Sequence, residues 1–156
     1  MSRRNQIEFS EEEISEYLIK SRTMILVSNG KDGYPHPMPM WYAIDDKKCI
    51  YMTTFRKSQK VKNLRKDPKA ALLIESGDAY QELKSLIIYT NVELIEEVEA
   101  VKDILEQIAL QRGDMQENAN QDIREGMLKT AEKRIGMKFK PKRIVSWDHS
   151  KLGGVY

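Results

Sequence analysis

The sequence predicts a mostly β domain, a small antiparallel barrel or sandwich with short helices over its openings. Three observations carry that prediction. Between Thr23 and Thr54, β-forming runs are broken by Asn29-Gly30, Asp32-Gly33 and Asp45-Asp46, pairs that favour tight turns. Two further runs, Ala70 to Glu75 and Leu83 to Ile95, are rich in Ile, Leu, Tyr, Thr and Val. Apolar residues at helical spacing appear in short pieces before, between and after these runs.

Taken in order, the first element is a helix from Ser10 to about Lys20. Ser10 caps it, Glu13 closes a capping box, Phe9 can staple to Ile14, and Ile14, Tyr17 and Leu18 form the core-facing stripe. Three strands follow as an antiparallel meander up to Thr54. Within it, Pro35, Pro37 and Pro39 share one parity, so an extended chain there loses three successive donors on one side. That side is either the border of a ligand or an irregular entry loop. Ser58 caps a short helix anchored by Val61 and Leu64 and stopped by Asp67-Pro68. After the two later strands the period switches at Glu96 to a helix carrying Val98, Val101, Leu105 and Ile108. A second helical piece with Ile123, Met127 and Ala131 precedes a last short strand, Arg143 to Trp147.

Composition bounds the function. A chain of 156 residues, 40% of them hydrophobic, suits one domain with one core, read here as spanning 1–156 with residues 1–8 flexible. The formal charge is +2, from 26 basic and 24 acidic side chains, so any anion site must be local. Cys49 stands alone, and His36 and His149 are too far apart in sequence for a zinc motif; no metal is expected, and a reducing cytoplasm fits. No apolar run approaches the ~20 residues of a membrane helix.

The local site is the basic run from Arg56 to Lys66. A helix start leaves free N–H groups and a partial positive charge. With the Ser58 hydroxyl, the Lys60 ammonium and Arg56 and Lys57 on the approach, it makes a pocket for one phosphate, while Lys62, Arg65 and Lys66 face solvent. The residue pattern also admits an ordinary solvated charged surface, and nucleic acid as a competing polyanion, although only Phe55 is an interleaved aromatic.

These motifs resemble a known family. The stretch from PHPMPMWYAIDD through IYMTTFRKSQKVKNLRKDPKAALLIESGDAYQEL, with the ending SWDHSKLGGVY, is similar to the pyridoxamine 5′-phosphate oxidase-like split β-barrel proteins, and among them to the deazaflavin-dependent branch. The resemblance covers about Phe9 to Tyr156. It implies a homodimer of antiparallel split β-barrels with cofactor sites at the subunit interface, each holding FMN or coenzyme F-420. Lys60 matches the phosphate-binding lysine, with Ser58, Gln59 and Asn63 in the same signature, and Thr53 matches the strand position that reaches the phosphate. Met38, Pro39, Met40, Trp41 and Tyr42 match the strand along the tricyclic ring. Tyr80, Trp147 and His149 belong to branch motifs near the pocket, as does the segment 148–156. Departures exist. The basic residues that vitamin B6 oxidases carry in the strand reading HPMPMW are absent, as is their C-terminal arginine motif, and Tyr89-Thr90-Asn91 stands where glycine is common.

The implied function is hydride transfer between reduced F-420 (or FMN) and a small unsaturated organic substrate. In such a system the cofactor carries the chemistry and no dedicated acid or base is needed, which matches the absence of a Ser-His-Asp set, paired carboxylates or a Gly-rich dinucleotide fingerprint. Lys151 could join Arg56 and Lys57 around an acidic tail. Trp41 and Trp147 are either slot-forming or core, and His149 is either a proton donor or a surface histidine bonded by Asp148. A non-catalytic carrier or sensor of flavin, pyridoxal phosphate or haem is the alternative reading, and a nucleic-acid module the third.

Overall fold

A computed structural model describes residues 3–153, with side chains from Asn5 onward. Met1, Ser2 and residues 154–156 lie outside that range, so the expectations for the extreme N-terminus and for Gly154 to Tyr156 are not addressed. A short helix, α1 (Arg3–Ile7), precedes the first capped helix.

Helix α2 (Glu11–Lys20) begins as the sequence requires. Ser10 Oγ accepts from Glu13 N at 3.2 Å, and Glu13 Oε2 accepts from Ser10 N at 2.6 Å. Ile14 and Leu18 are buried. Phe9 packs edge-on against Tyr17 with ring centroids 5.2 Å apart.

Seven strands form one antiparallel sheet: β1 (Met24–Asn29), β2 (Pro35–Met40), β3 (Ala43–Ile44), β4 (Ile50–Phe55), β5 (Lys69–Ser76), β6 (Lys84–Ile95) and β7 (Arg134–Asp148). Their order is β2-β1-β5-β6-β7-β4-β3, the curled half-barrel that the sequence predicts. Two expectations are corrected. The first strands are not one meander: β1–β2 and β3–β4 are hairpins, but β1 also pairs with β5 and β4 with β7, which sends β2 and β3 to opposite edges. The last strand is long, because Arg134 to Lys142 continues the ladder with β6 and β4 although Lys138, Lys140, Pro141 and Lys142 interrupt its apolar pattern.

The alternation of strand side chains sorts the sheet into two faces. Inward, Leu26, Leu72, Ile88, Met52, Met137 and Phe139 are sealed beneath α2 with Leu18. Outward, α4 (Val98–Arg112) covers the β3–β4 side through Ile104 and Ile108 against Ala43. Gly136 allows that approach: a Cβ there would lie 2.8 Å from Ile104 Cδ1 and 3.1 Å from Ile95 Cβ. Helix α5 (Gln121–Ala131) leads into β7. The other half of the outer face is different. Ile25, Leu73, Ile87 and Val145 lie across from one another on β1, β5, β6 and β7 and stay partly exposed. No described helix is long and apolar enough to cross a membrane.

Candidate functional site

Strand β4 ends in Thr53-Thr54-Phe55, and a tight turn closed by Ser58 N donating to Phe55 O at 3.0 Å leads into α3 (Gln59–Lys66). Val61 and Leu64, each 1% exposed, fix the helix against the barrel, which turns Lys60 and Asn63 inward as well. Lys60 is only 8% exposed, and its ammonium donates to Thr54 Oγ1 at 3.0 Å. The Thr54 hydroxyl in turn approaches Ser58 Oγ at 3.4 Å. Ser58 occupies the N-cap position without spending its side chain on the helix, so the first-turn N–H groups have no side-chain acceptor there.

A second cation joins from β7. Arg134 lies opposite Phe55, its Cζ 4.6 Å over that ring, and its Nη1 reaches Thr53 Oγ1 at 3.4 Å. Its Nε is buried without a hydrogen-bond partner among the described residues. Burial holds the Lys60 ammonium below its ordinary pKa, and the Arg134 charge adds to the effect; burial lowers Arg134 too. Among the described residues neither cation is in an ion pair. A buried ammonium and a partly buried guanidinium with one orphaned N–H are costly unless an anion sits with them. Chemically, this corner can take an anion.

The rest of the signature supports this corner. Asn63, 4% exposed, donates to Ser28 Oγ at 3.1 Å and accepts from Gln59 Nε2 at 2.8 Å, tying α3 to β1. Other charges expected nearby are spent elsewhere. Arg56 donates to Glu96 O at 2.7 Å, Arg65 pairs with Glu96, and Lys151 binds Glu8 O and Glu13 rather than ringing the opening. Lys57 is exposed, as are Lys62 and Lys66.

Of the two alternatives that the prolines left, the structure takes the strand: β2 is an edge of the sheet. Because prolines cannot donate, His36, Met38 and Met40 make its ladder to β1, leaving the carbonyls of Pro35, Pro37 and Pro39 along the free edge. Met38 and Met40 turn toward the core and Pro39 outward. Tyr42 is 5% exposed, and its hydroxyl donates to Leu18 O at 2.5 Å and Ser21 O at 3.1 Å, so its side chain closes the end of α2. Trp41 is not core: it is 58% exposed, with the Arg112 guanidinium 4.0 Å above its ring.

Tyr80, Trp147 and His149 form a second group. His149 Nδ1 is 3.0 Å from Tyr80 O and the two rings are 4.5 Å apart, so Tyr80 takes the place expected for Asp148. Asp148 instead pairs with Lys84 at 2.8 Å and binds Ser150. Trp147 is partly buried on the outer face, across from Ser85. The motif GDAYQEL has a backbone reason. Gly77 has φ +102°, and a Cβ there would lie 2.3 Å from Glu82 O.

The structure thus separates the expected site residues. Thr53, Ser58, Gln59, Lys60 and Asn63 gather at the end of the sheet that carries Lys69 of β5 and Ile95 of β6, whereas Tyr80, Trp147 and His149 lie at the other end, where Ser76 meets Lys84. At about 3.3 Å per strand residue the two ends are roughly 23 Å apart. Arg134 escaped the sequence reading, since only its register opposite Phe55 brings it to the corner.

Comparison with known proteins fits this geometry. A family model described as pyridoxamine 5′-phosphate oxidase matches residues 10–146. No curated protein matches the sequence. Among solved structures, a conserved hypothetical protein, Rv2991 of Mycobacterium tuberculosis, is 35% identical with a TM-score of 0.86, the match covering 98% of this chain and 93% of that one. An F420 reductase is 18% identical (TM-score 0.63; 83% of this chain, 94% of that one). The haem storage protein HutZ of Vibrio cholerae is 16% identical (TM-score 0.68; 90% and 97%). The last two share the fold.

Proposed function

The chain belongs to the pyridoxamine 5′-phosphate oxidase family, and from that premise we propose that it binds a phosphorylated flavin-type cofactor, FMN or coenzyme F-420, and serves hydride transfer to or from a small unsaturated organic substrate. The carrying observation is the buried Lys60–Thr54–Ser58 corner with the orphaned Arg134 Nε beside it. Donors without acceptors fit a phosphate. Either cofactor, when bound, supplies the hydride chemistry. The chain's own residues then have binding and positioning work. Lys60, Ser58 and the first turn of α3 hold the phosphoryl end, with Arg134 and Thr53 at its side, and Gln59 and Asn63 fix the helix that presents them. The acceptor-only edge of β2 can take N–H donors from a ring edge.

The working unit in this reading is a homodimer. The uncovered apolar half of the outer face, through Ile25, Leu73, Ile87 and Val145, is suited to a second copy. A two-fold packing of those faces about an axis perpendicular to the strands would carry the Tyr80–His149 end of one subunit toward the Lys60 end of the other. That is how one site could use both groups.

The test is direct. The purified protein is titrated with FMN and F-420 separately, followed by fluorescence, and each reduced cofactor is then offered a panel of enones, quinones and tetrapyrroles. Saturable binding with turnover is expected. Binding of neither cofactor overturns the reading, and binding without turnover makes the protein a carrier.

A further inference from the structure

We infer that the unpaired side of β7 beyond Pro141 is a docking edge for an extended peptide of alternating apolar and acidic residues, which adds to the sheet as a further strand. This edge is separate from the cofactor corner.

The edge arises from register. Strand β4 pairs with β7 from Arg134 to Phe139 and stops, whereas β6 follows β7 on to Asp148. Residues 140–148 therefore have a neighbouring strand on one side, and among the described residues no backbone hydrogen bond joins residues 141–147 to any segment but β6. A row of free N–H and C=O groups is a template for another strand. The two terminal strands of the sheet are closed to that use. Strand β2 offers acceptors alone, because Pro35, Pro37 and Pro39 stand where its outward donors belong. On β3 the Gln111 side-chain amide takes both groups of Ile44, donating to its O at 2.7 Å and accepting from its N at 2.9 Å.

The space beside β7 is a groove of about 440 Å³ between residues 141–146 and a second wall made by Glu8, Phe9, Glu11 and Ile14. Phe9 N, which donates to Ser146 Oγ at 3.0 Å, ties the two walls together. Pro141 lacks an N–H, and the register shift between Tyr89 and Thr90 leaves Lys142 as a bulge, so the added strand runs from Arg143 to Trp147. At about 3.3 Å per residue this is roughly 17 Å, an ordinary strand length.

The side chains define the occupant. Ile144 packs inward against the core, with Phe9 and Ile14 across the groove, so an added strand turns apolar side chains to that face. Its alternate side chains point outward, toward Lys140, Arg143 and the bulged Lys142. All three cations are exposed, and among the described residues none is in an ion pair; Arg143 lies 4.1 Å over the Tyr89 ring. Of the two carboxylates on the second wall, Glu11 is already engaged by Lys48. The unspent charge of the edge is positive, which matches acidic residues at every second position.

The experiment uses the full chain and fluorescein-labelled octapeptides of alternating Val and Glu, of alternating Val and Lys, and of Val and Glu with every backbone nitrogen methylated. Binding is followed by anisotropy and located by hydrogen–deuterium exchange. The Val–Glu peptide is expected to saturate and to slow exchange at residues 143–147. The Val–Lys peptide should bind at least about fivefold more weakly, the scale of surface ion pairs turned to like charges. The double variant Lys140→Glu and Lys142→Glu, with its Tm checked against wild type, should reverse that order. The methylated peptide should not bind, since it cannot extend the ladder. Absence of Val–Glu binding, equal binding of the methylated peptide, or protection confined to other strands overturns the proposal. Displacement of the peptide by a short oligothymidylate that leaves exchange at residues 143–147 unprotected marks a general polyanion surface and overturns it as well.

Discussion

Replacing Lys60 by Met separates the anion seat from a merely structural lysine, because the two readings differ in the sign of one measurement and the size of another. Lys60 is 8% exposed and its ammonium has one partner in the described structure, the Thr54 hydroxyl at 3.0 Å. Methionine keeps an unbranched stem of similar volume and removes the charge. In the absence of ligand, the change relieves a buried cation that also feels Arg134, so the Tm should stay level or rise. With ligand, it removes a charge-assisted hydrogen bond to phosphate worth about 1.5–3 kcal/mol. At 1.4 kcal/mol per decade this weakens FMN or F-420 roughly 10- to 150-fold, and the intact α3 N-terminus retains part of the binding. Fluorescence titration measures the loss and circular dichroism on heating measures the Tm. A folded Lys60→Met protein that binds within about twofold of wild type refutes the seat, and so does a lowered Tm with unchanged affinity.

Three further outcomes follow from the geometry. Tyr42→Phe leaves the Leu18 and Ser21 carbonyls without their donor and should cost about 1–3 kcal/mol, seen as a lower Tm with cofactor affinity unchanged. For Asp148, burial alone would push the carboxyl up, but the Lys84 and Ser150 hydrogen bonds outweigh it and hold the pKa below its usual value. The stability so gained is present above the unfolded value of about 3.9 and is lost as pH falls through the lower folded value, so Asp148→Asn should flatten the acid limb of the Tm profile below about pH 4. Leu73→Lys, on the uncovered sheet face, should shift the molecule to monomer in size-exclusion chromatography without unfolding it; a dimer that persists argues against that face as the interface.

Much of the site was written locally. The capping box at Ser10, the Ser58 helix start and the inward pair Val61 and Leu64 depend on residues within one or two turns, and the structure keeps all of them. Proline parity in PHPMPM left an edge strand or an irregular entry loop, and the structure chose the edge strand; a missing N–H constrains its own neighbours. Local pattern failed where a residue's partner lies far along the chain. Lys138, Lys140 and Lys142 hid the first half of β7, although β6 and β4 hold that stretch in the ladder. Arg56 and Lys151 looked available as ligand cations until Glu96, Glu13 and the Glu8 carbonyl took them.

Sequence alone settled the class of fold, the short helix that begins at Ser58 and the lysine in its first turn, because period, capping and backbone chemistry act over a few residues. Tertiary structure decided which charges remain unspent, that Arg134 comes to the end of β4, and that the Tyr80–His149 group lies at the opposite end of the sheet from Lys60. Those outcomes turn on strand register and on long-range hydrogen bonds, and register is chosen by the packing of a whole face at once.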